Sequence, residues 1–175
     1  MDYGIILLFE NESEDKIKDL INKIAQNNGN NYMLENNIPP HLSISLFEYN
    51  DPIHSIIELL DKNISNIKSQ NLYLASIGIL NPNVLFLSPV INNILLESNK
   101  NINKLLENNG VNKFDNYYLE NQWVPHISLG VKLNKNELLN GINLLINNYQ
   151  NMGIKINRIG LVECNPYKEI KIWNI

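Results

Sequence analysis

The chain contains one cysteine, Cys164, and one arginine, Arg158. A single thiol builds neither a disulfide framework nor a cysteine-based zinc site, and it reads as a half-buried strand thiol. Positive charge is sparse: 14 Lys and Arg stand against 18 Asp and Glu, giving a net charge of −4 and a pI of about 5.4. Proteins that grip long nucleic acid carry a basic stripe. None is visible, so the expected partner is a small nucleotide or oligonucleotide. No run approaches the ~20 apolar residues of a membrane helix. Met1-Asp2 lacks a basic start, and the apolar run from Gly4 to Phe9 is short for a leader. The expectation is a cytoplasmic monomer with no membrane partner. At 175 residues and 44% hydrophobic content, the chain suits one domain, or two small halves that share a core.

Asparagine and isoleucine are abundant. The clusters Asn27-Asn28-Gly29-Asn30-Asn31 and Asn108-Asn109-Gly110 read as loops. The bias itself fits an A+T-rich coding genome and says little about function.

Two tetrapeptides carry the chemistry: His41-Leu42-Ser43-Ile44 and His126-Ile127-Ser128-Leu129, each after a proline, Pro40 and Pro125. Side chains alternate along a strand. On that rule His41, Ser43 and Ser45 share one face, and His126, Ser128 and Gly130 share the equivalent face of a second strand. Two histidines, each with a hydroxyl two residues on, then point from two strands into one space.

The remaining elements recur in the same order. Tyr3 to Phe9 reads as a buried strand. A helix follows, capped by Asn11 with Glu14, with Ile17, Leu20, Ile21 and Ile24 at helical spacing. His41 to Phe47 is the first motif strand. Asp51-Pro52 opens a helix with Ile56, Leu60, Ile64 and Ile67 at core spacing. Leu72–Leu80 and Val84–Val90 form a hairpin across Asn81-Pro82-Asn83. From Val84 the pattern repeats: a helix with Ile91, Ile94, Leu95, Ile102 and Leu105, the second motif strand His126 to Val131, and a helix capped by Asn134 and Glu137 with Leu138, Ile142, Leu145 and Tyr149. A hairpin of Ile154–Glu163 with Lys168–Trp173 closes the chain. Ile77-Gly78 recurs as Ile159-Gly160. The fold class expected is α+β: an internal duplication, lobes 1–83 and 84–175 by repeat, with exchange of terminal strands allowed. A pseudo-twofold would set the motif strands side by side at the centre, so that the histidines face each other across a cleft lined by antiparallel sheets, helices outside.

Two His-x-Ser-hydrophobic motifs in the two halves of such a chain resemble the 2H phosphoesterase superfamily, which includes 2′-5′ RNA ligase-like proteins and cyclic phosphodiesterases. Trp123-Val124-Pro125-His126-Ile127-Ser128-Leu129 is especially similar to that group's second motif. Both copies here carry Ser where Thr is commoner; the hydroxyl is kept and a methyl lost. The resemblance implies two lobes around a cleft, catalysis by His41, Ser43, His126 and Ser128, and no cofactor or metal.

The chemistry expected of these residues is acid–base catalysis on a phosphodiester. A neutral imidazole takes a proton from the attacking group, a protonated one gives a proton to the leaving oxygen, and an ordinary value near ~6.5 lets one residue type do both. Ser43 and Ser128 donate to the nonbridging oxygens. A lone His-x-Ser is ordinarily structural; two at matched places in a duplication point to catalysis or ligand binding. Zinc is disfavoured, since a catalytic zinc takes three protein ligands and only His54 and Cys164 remain. His54 reads as an exposed residue at a helix start.

Tyr3, Tyr118, Trp123 and Tyr167 are candidates for stacking on a base; their bland reading is core or surface packing. Lys132 and Arg158 are candidate phosphate partners, although isolated charges are commonly just solvated. Candidate substrates are a 2′-5′ oligoadenylate, a cyclic oligonucleotide signal or a 2′,3′-cyclic phosphate. By the resemblance, a viral or phage counter-defence role fits the first two. The alternatives are RNA end-processing or 2′-5′ ligation, and a non-catalytic protein that sequesters a nucleotide.

Overall fold

The computed structural model describes residues 2–175, the side chain of Asn66 excepted; Met1 lies outside them. The strands are β1 (Asp2–Phe9), β2 (Leu42–Glu48), β3 (Gln70–Leu80), β4 (Val84–Pro89), β5 (Lys113–Phe114), β6 (Ile127–Gly130), β7 (Met152–Cys164) and β8 (Tyr167–Asn174). The helices are α1 (Asn11–Asn28), α2 (Tyr32–Glu35), α3 (His54–Asn63), α4 (Asn93–Glu107) and α5 (Lys135–Asn148). The class is α+β. All strand pairs are antiparallel and belong to one sheet, in the order β5-β2-β1-β7-β3-β4-β6, with β8 also on β7.

That order is symmetric under exchange of the two copies. Inward from β2 it runs second strand, first strand, then the other copy's hairpin strand; inward from β6 it runs the same way. The local twofold passes between β7 and β3, where Leu72 lies opposite Ile154, Gln70 opposite Ile156 and Leu74 opposite Met152. Leu72 and Ile154 stand 82 residues apart, the spacing of the Ile-Gly repeat, so each faces its own counterpart. The motif strands are therefore not neighbours at the centre, as the duplication alone suggested. They take the outer positions, because the long hairpin strands β3 and β7 pair with each other and occupy the middle.

Helices cover one face of this sheet. The Ile17, Leu20, Ile21 and Ile24 stripe of α1 and the Ile56 and Leu60 stripe of α3 bury into one core with Ile5, Leu7, Phe9, Leu42, Ile44, Leu85, Leu87, Ile127 and Leu129. Each motif strand is covered by a helix of the other copy, β2 by α4 and β6 by α1. On the opposite face a small apolar cluster of Ile6, Leu8 and Val162 packs with Cys164, Tyr167 and Ile172.

Local signals held unevenly. Asn134 and Glu137 form the expected capping box on α5. On α1 the N-cap is Glu10, and no side chain caps it; Asn11 and Glu14 lie within the helix. The helix continues through Asn28 and stops at Gly29, whose positive φ of 70° and N–H to the Ala25 carbonyl terminate it as glycine readily does. In α4 the buried stripe is Leu95, Ile102 and Leu106; Ile94 is exposed and Ile91, also exposed, precedes the helix. The short α2 and β5 had no periodic signal. No helix among the described residues is long and apolar enough to cross a membrane.

Candidate active site

Each motif histidine is the residue just before its strand, and each is held in the same way. His41 Nδ1 lies 2.8 Å from the Pro39 carbonyl, and His126 Nδ1 lies 2.8 Å from the Val124 carbonyl. A carbonyl only accepts, so each Nδ1 carries a proton and each Nε2 of a neutral ring keeps its lone pair free. Proline between the tether and the ring fixes φ there, which makes the local loop stiff in both copies.

Burial pulls both imidazoles below the ordinary histidine value, and the tethering carbonyls partly oppose it. His41 is lowered further by charge on His126. That repulsion places the two rings within electrostatic reach, although six ladder positions separate their strands. The sheet must curl to bring β2 and β6 together. Phe86 packs edge-on against His126, with ring centroids 5.5 Å apart.

The serines occupy matching places. Ser43 lies opposite Ile6, and Ser128 lies opposite Phe86. Just past each serine the register shifts by one, leaving Ile44 and Leu129 as the extra residues. Such an insertion breaks strict alternation. It turns Ser45 opposite Ile5 and Gly130 opposite Leu85, both core positions. The strict two-residue period had put Ser45 and Gly130 with the motif serines; the shift removes them, and Ser45 is fully buried. Ser43 and Ser128 remain on the helix-free face with Ile6 and Phe86.

The outer edge of β2 is completed by groups from the second copy. The β5 strand pairs only with Phe47 and Glu48. Ahead of it, Trp123 Nε1 donates to the Ser43 carbonyl at 3.2 Å, Asn99 Nδ2 donates to the Ile44 carbonyl at 2.7 Å, and the Asp115 N–H donates to the Leu46 carbonyl at 2.9 Å. These bonds draw the segment leading to the second motif onto the first motif strand.

The predicted aromatics divide. Tyr3 is not at the cleft: it is buried on the helix side, its ring 6.0 Å from that of Phe47, because odd positions of β1 face the core. Trp123 is half-buried and spends its N–H on the Ser43 carbonyl, which makes it a brace between copies. Tyr118 is buried with its hydroxyl paired to Ser43. Tyr167 packs on the helix-free face with Ile6, Leu8 and Val162, its hydroxyl 3.3 Å from Glu169.

Arg158 is engaged by Glu14 at 2.7 Å and by the Phe9 carbonyl, and Lys132 stacks 3.9 Å over the Tyr32 ring. His54 is exposed beside Glu58 at 3.2 Å. Cys164 is free, half-buried, and pushed up to about 11 by burial and by Asp2. No three His, Cys, Asp or Glu side chains among the described residues gather as a metal-binding group. Phe86 and Asn99 were not singled out from the sequence. Phe86 reads as one more apolar strand residue, and Asn99 is hidden by the abundance of asparagine.

Solved structures share this architecture along nearly the whole chain. TT0787 of Thermus thermophilus superposes with a TM-score of 0.66 at 11% identity, covering 99% of this chain and 97% of that one. Escherichia coli LigT complexed with 3′-AMP gives 0.65 at 12% identity with the same coverage. A phosphoesterase gives 0.63 at 12%, covering 99% and 98%. The fold is that of the 2H phosphoesterases. No family model matches the chain, and no curated protein does.

Proposed function

We propose that the protein is a metal-independent 2H-type phosphodiesterase that cleaves a small nucleotide phosphodiester by two-histidine acid–base catalysis. The observation that carries this reading is the duplicated tether: His41 and His126, each fixed at Nδ1 by a carbonyl 2.8 Å away, each offering Nε2 to the same space. Structural histidines have no reason to repeat that geometry beside a repeated serine.

In the reaction one neutral Nε2 takes the proton of the attacking hydroxyl, whether water or a neighbouring ribose hydroxyl. The attacking oxygen bonds to phosphorus. The bond to the leaving oxygen breaks as the other, protonated imidazole gives it a proton. Ser43 and Ser128 donate to the nonbridging oxygens, where charge builds. The wall of Ile6, Leu8, Val162 and Tyr167 offers an apolar surface for a base or sugar. The LigT structure with 3′-AMP supports a nucleotide as ligand of this fold. The net charge of −4 favours a small substrate over a long RNA, and a monomer in the cytoplasm would suffice for this activity.

The test is a product-resolved cleavage panel in EDTA: 2′-5′ oligoadenylate, cyclic di- and trinucleotides, and 2′,3′-cyclic mononucleotides. Turnover that His41→Ala and His126→Ala each reduce at least ~100-fold while staying folded is expected, the scale of a lost general acid or base. Wild-type rates in either variant would refute the assignment. Preference for a cyclic or 2′-5′ oligonucleotide would favour signal degradation, and with it a counter-defence role. Tight binding without turnover would favour sequestration.

A further inference from the structure

Resting on the phosphodiesterase reading, we propose that Tyr118 is a positioning residue for Ser43, a phenol that fixes which way the first motif's hydroxyl donates and so makes the two half-sites unequal.

Three observations place it. Asn99 spends both amide hydrogens at the site, one on the Ile44 carbonyl at 2.7 Å and one on the Tyr118 carbonyl at 2.8 Å. A single buried side chain thus ties the residue after Ser43 to Tyr118. Asn103 Nδ2 also donates to the Tyr118 carbonyl, at 2.8 Å. Trp123 holds the Ser43 carbonyl itself. Between these anchors the buried Tyr118 side chain meets the Ser43 hydroxyl, and Ser43 is only 9% exposed.

The direction of that contact follows from donor counting. Each hydroxyl has one hydrogen and two acceptor sites. If Ser43 donated to Tyr118, it would have no hydrogen left for a phosphoryl oxygen. A phenol is the more acidic hydroxyl, so Tyr118 donates to Ser43 Oγ and leaves the serine hydrogen pointing outward, strengthened by the chain of bonds. Burial and the charge on Asp115 keep the phenol protonated, pushed up to about 12, so it remains a donor across the neutral range. The second half-site has no counterpart. Tyr118 stands eight residues before His126; eight before His41 stands Met33, a thioether without a hydrogen to give. Ser43 is thereby a preset donor, whereas Ser128 is oriented by the substrate.

The experiment is a double-mutant cycle of Tyr118→Phe and Ser43→Ala, with steady-state kinetics on the fastest-cleaved diester of the panel above. Tyr118→Phe keeps the ring and the clamped carbonyl; thermal melting checks that it folds. The expected result is kcat about 5- to 20-fold lower with KM within twofold, and no further loss when Phe is added to Ser43→Ala. Asn103→Ala, which loosens the same residue from outside the cleft, should lower kcat less and also have no effect in the Ser43→Ala background. Wild-type kcat in Tyr118→Phe, or an equal loss in both backgrounds, overturns the relay while leaving the phosphodiesterase reading intact. Absence of turnover by the wild-type protein across the panel overturns both.

Discussion

Gly78 lies directly opposite Phe86, and a Cβ on Gly78 would overlap the Phe86 ring. The bare backbone lets the ring lie flat over β3 while its other side packs against His126. Gly160 stands in the same place opposite Ile6, which faces Ser43 as Phe86 faces Ser128. The repeated Ile-Gly pairs are thus one cross-strand row in each copy: glycine, spacer, catalytic serine.

Gly78→Ala should therefore act at a distance. The added methyl meets a rigid ring, and overpacking of this kind costs about 1–3 kcal/mol. Displacing Phe86 also moves His126, so kcat should fall as well. At Gly160 the added methyl would meet the Ile172 Cδ1 at 2.6 Å, a flexible tip that can turn away, so Gly160→Ala should cost less. Urea unfolding with kinetics on both variants decides it; equal, negligible effects would show that the row does not set the ring.

The dependence on pH has a defined sign. Both imidazoles titrate below the ordinary ~6.5, through burial first and, for His41, also through His126. The active form holds one proton between them, and its two limits belong to the pair. The maximum of kcat/KM should then lie below pH ~6.5; a maximum above pH ~7.5 would contradict the environment described. Stability follows the same shift. The unfolded chain binds these protons more readily, so their contribution is full above the unfolded value and is lost as pH falls through the folded values. His41→Ala and His126→Ala should each flatten the melting temperature against pH in that window.

What the sequence revealed and what it concealed separate by range. The motifs, the order of elements and the duplication were legible because each rests on local spacing: alternation in Leu42 to Phe47, helical stripes in α1 and α5, and a repeat at 82 to 85 residues. The position of the motif strands was not. It depends on β3 pairing with β7 across 82 residues, which no local pattern encodes. Ser45 was misplaced because a one-residue register shift is invisible in composition, and Tyr3 because it shares the core phase of β1 with Ile5 and Leu7. The serines in place of the commoner threonines have a plain compositional context, since the chain contains no threonine.

Asn99 should prove a structural necessity in a chain where most asparagines are expendable. Its amide is the donor for the carbonyl of Ile44, a fully buried residue just past the register shift. Asn99→Leu keeps the volume and removes the donor. Leaving one buried carbonyl unpaired costs about 1–3 kcal/mol, while the Tyr118 carbonyl keeps Asn103. A urea midpoint unchanged from wild type would show that the β2 edge is held without it.

The two serines, alike in sequence, should differ in effect. Both face the space between the histidines, and removing a donor that stabilises developing charge costs on the order of 10²-fold in kcat. Ser43 is buried under Tyr118 and held through its carbonyl by Trp123, so water has little room to replace its hydroxyl. Ser128 is half-buried, and a water entering the gap of Ser128→Ala can restore part of the bond. Ser43→Ala should therefore lose close to the full factor in kcat, and Ser128→Ala several-fold less, with KM for both near wild type. The reverse order would mean that the second motif, not the first, carries the fixed donor, and the inequality of the half-sites would run the other way.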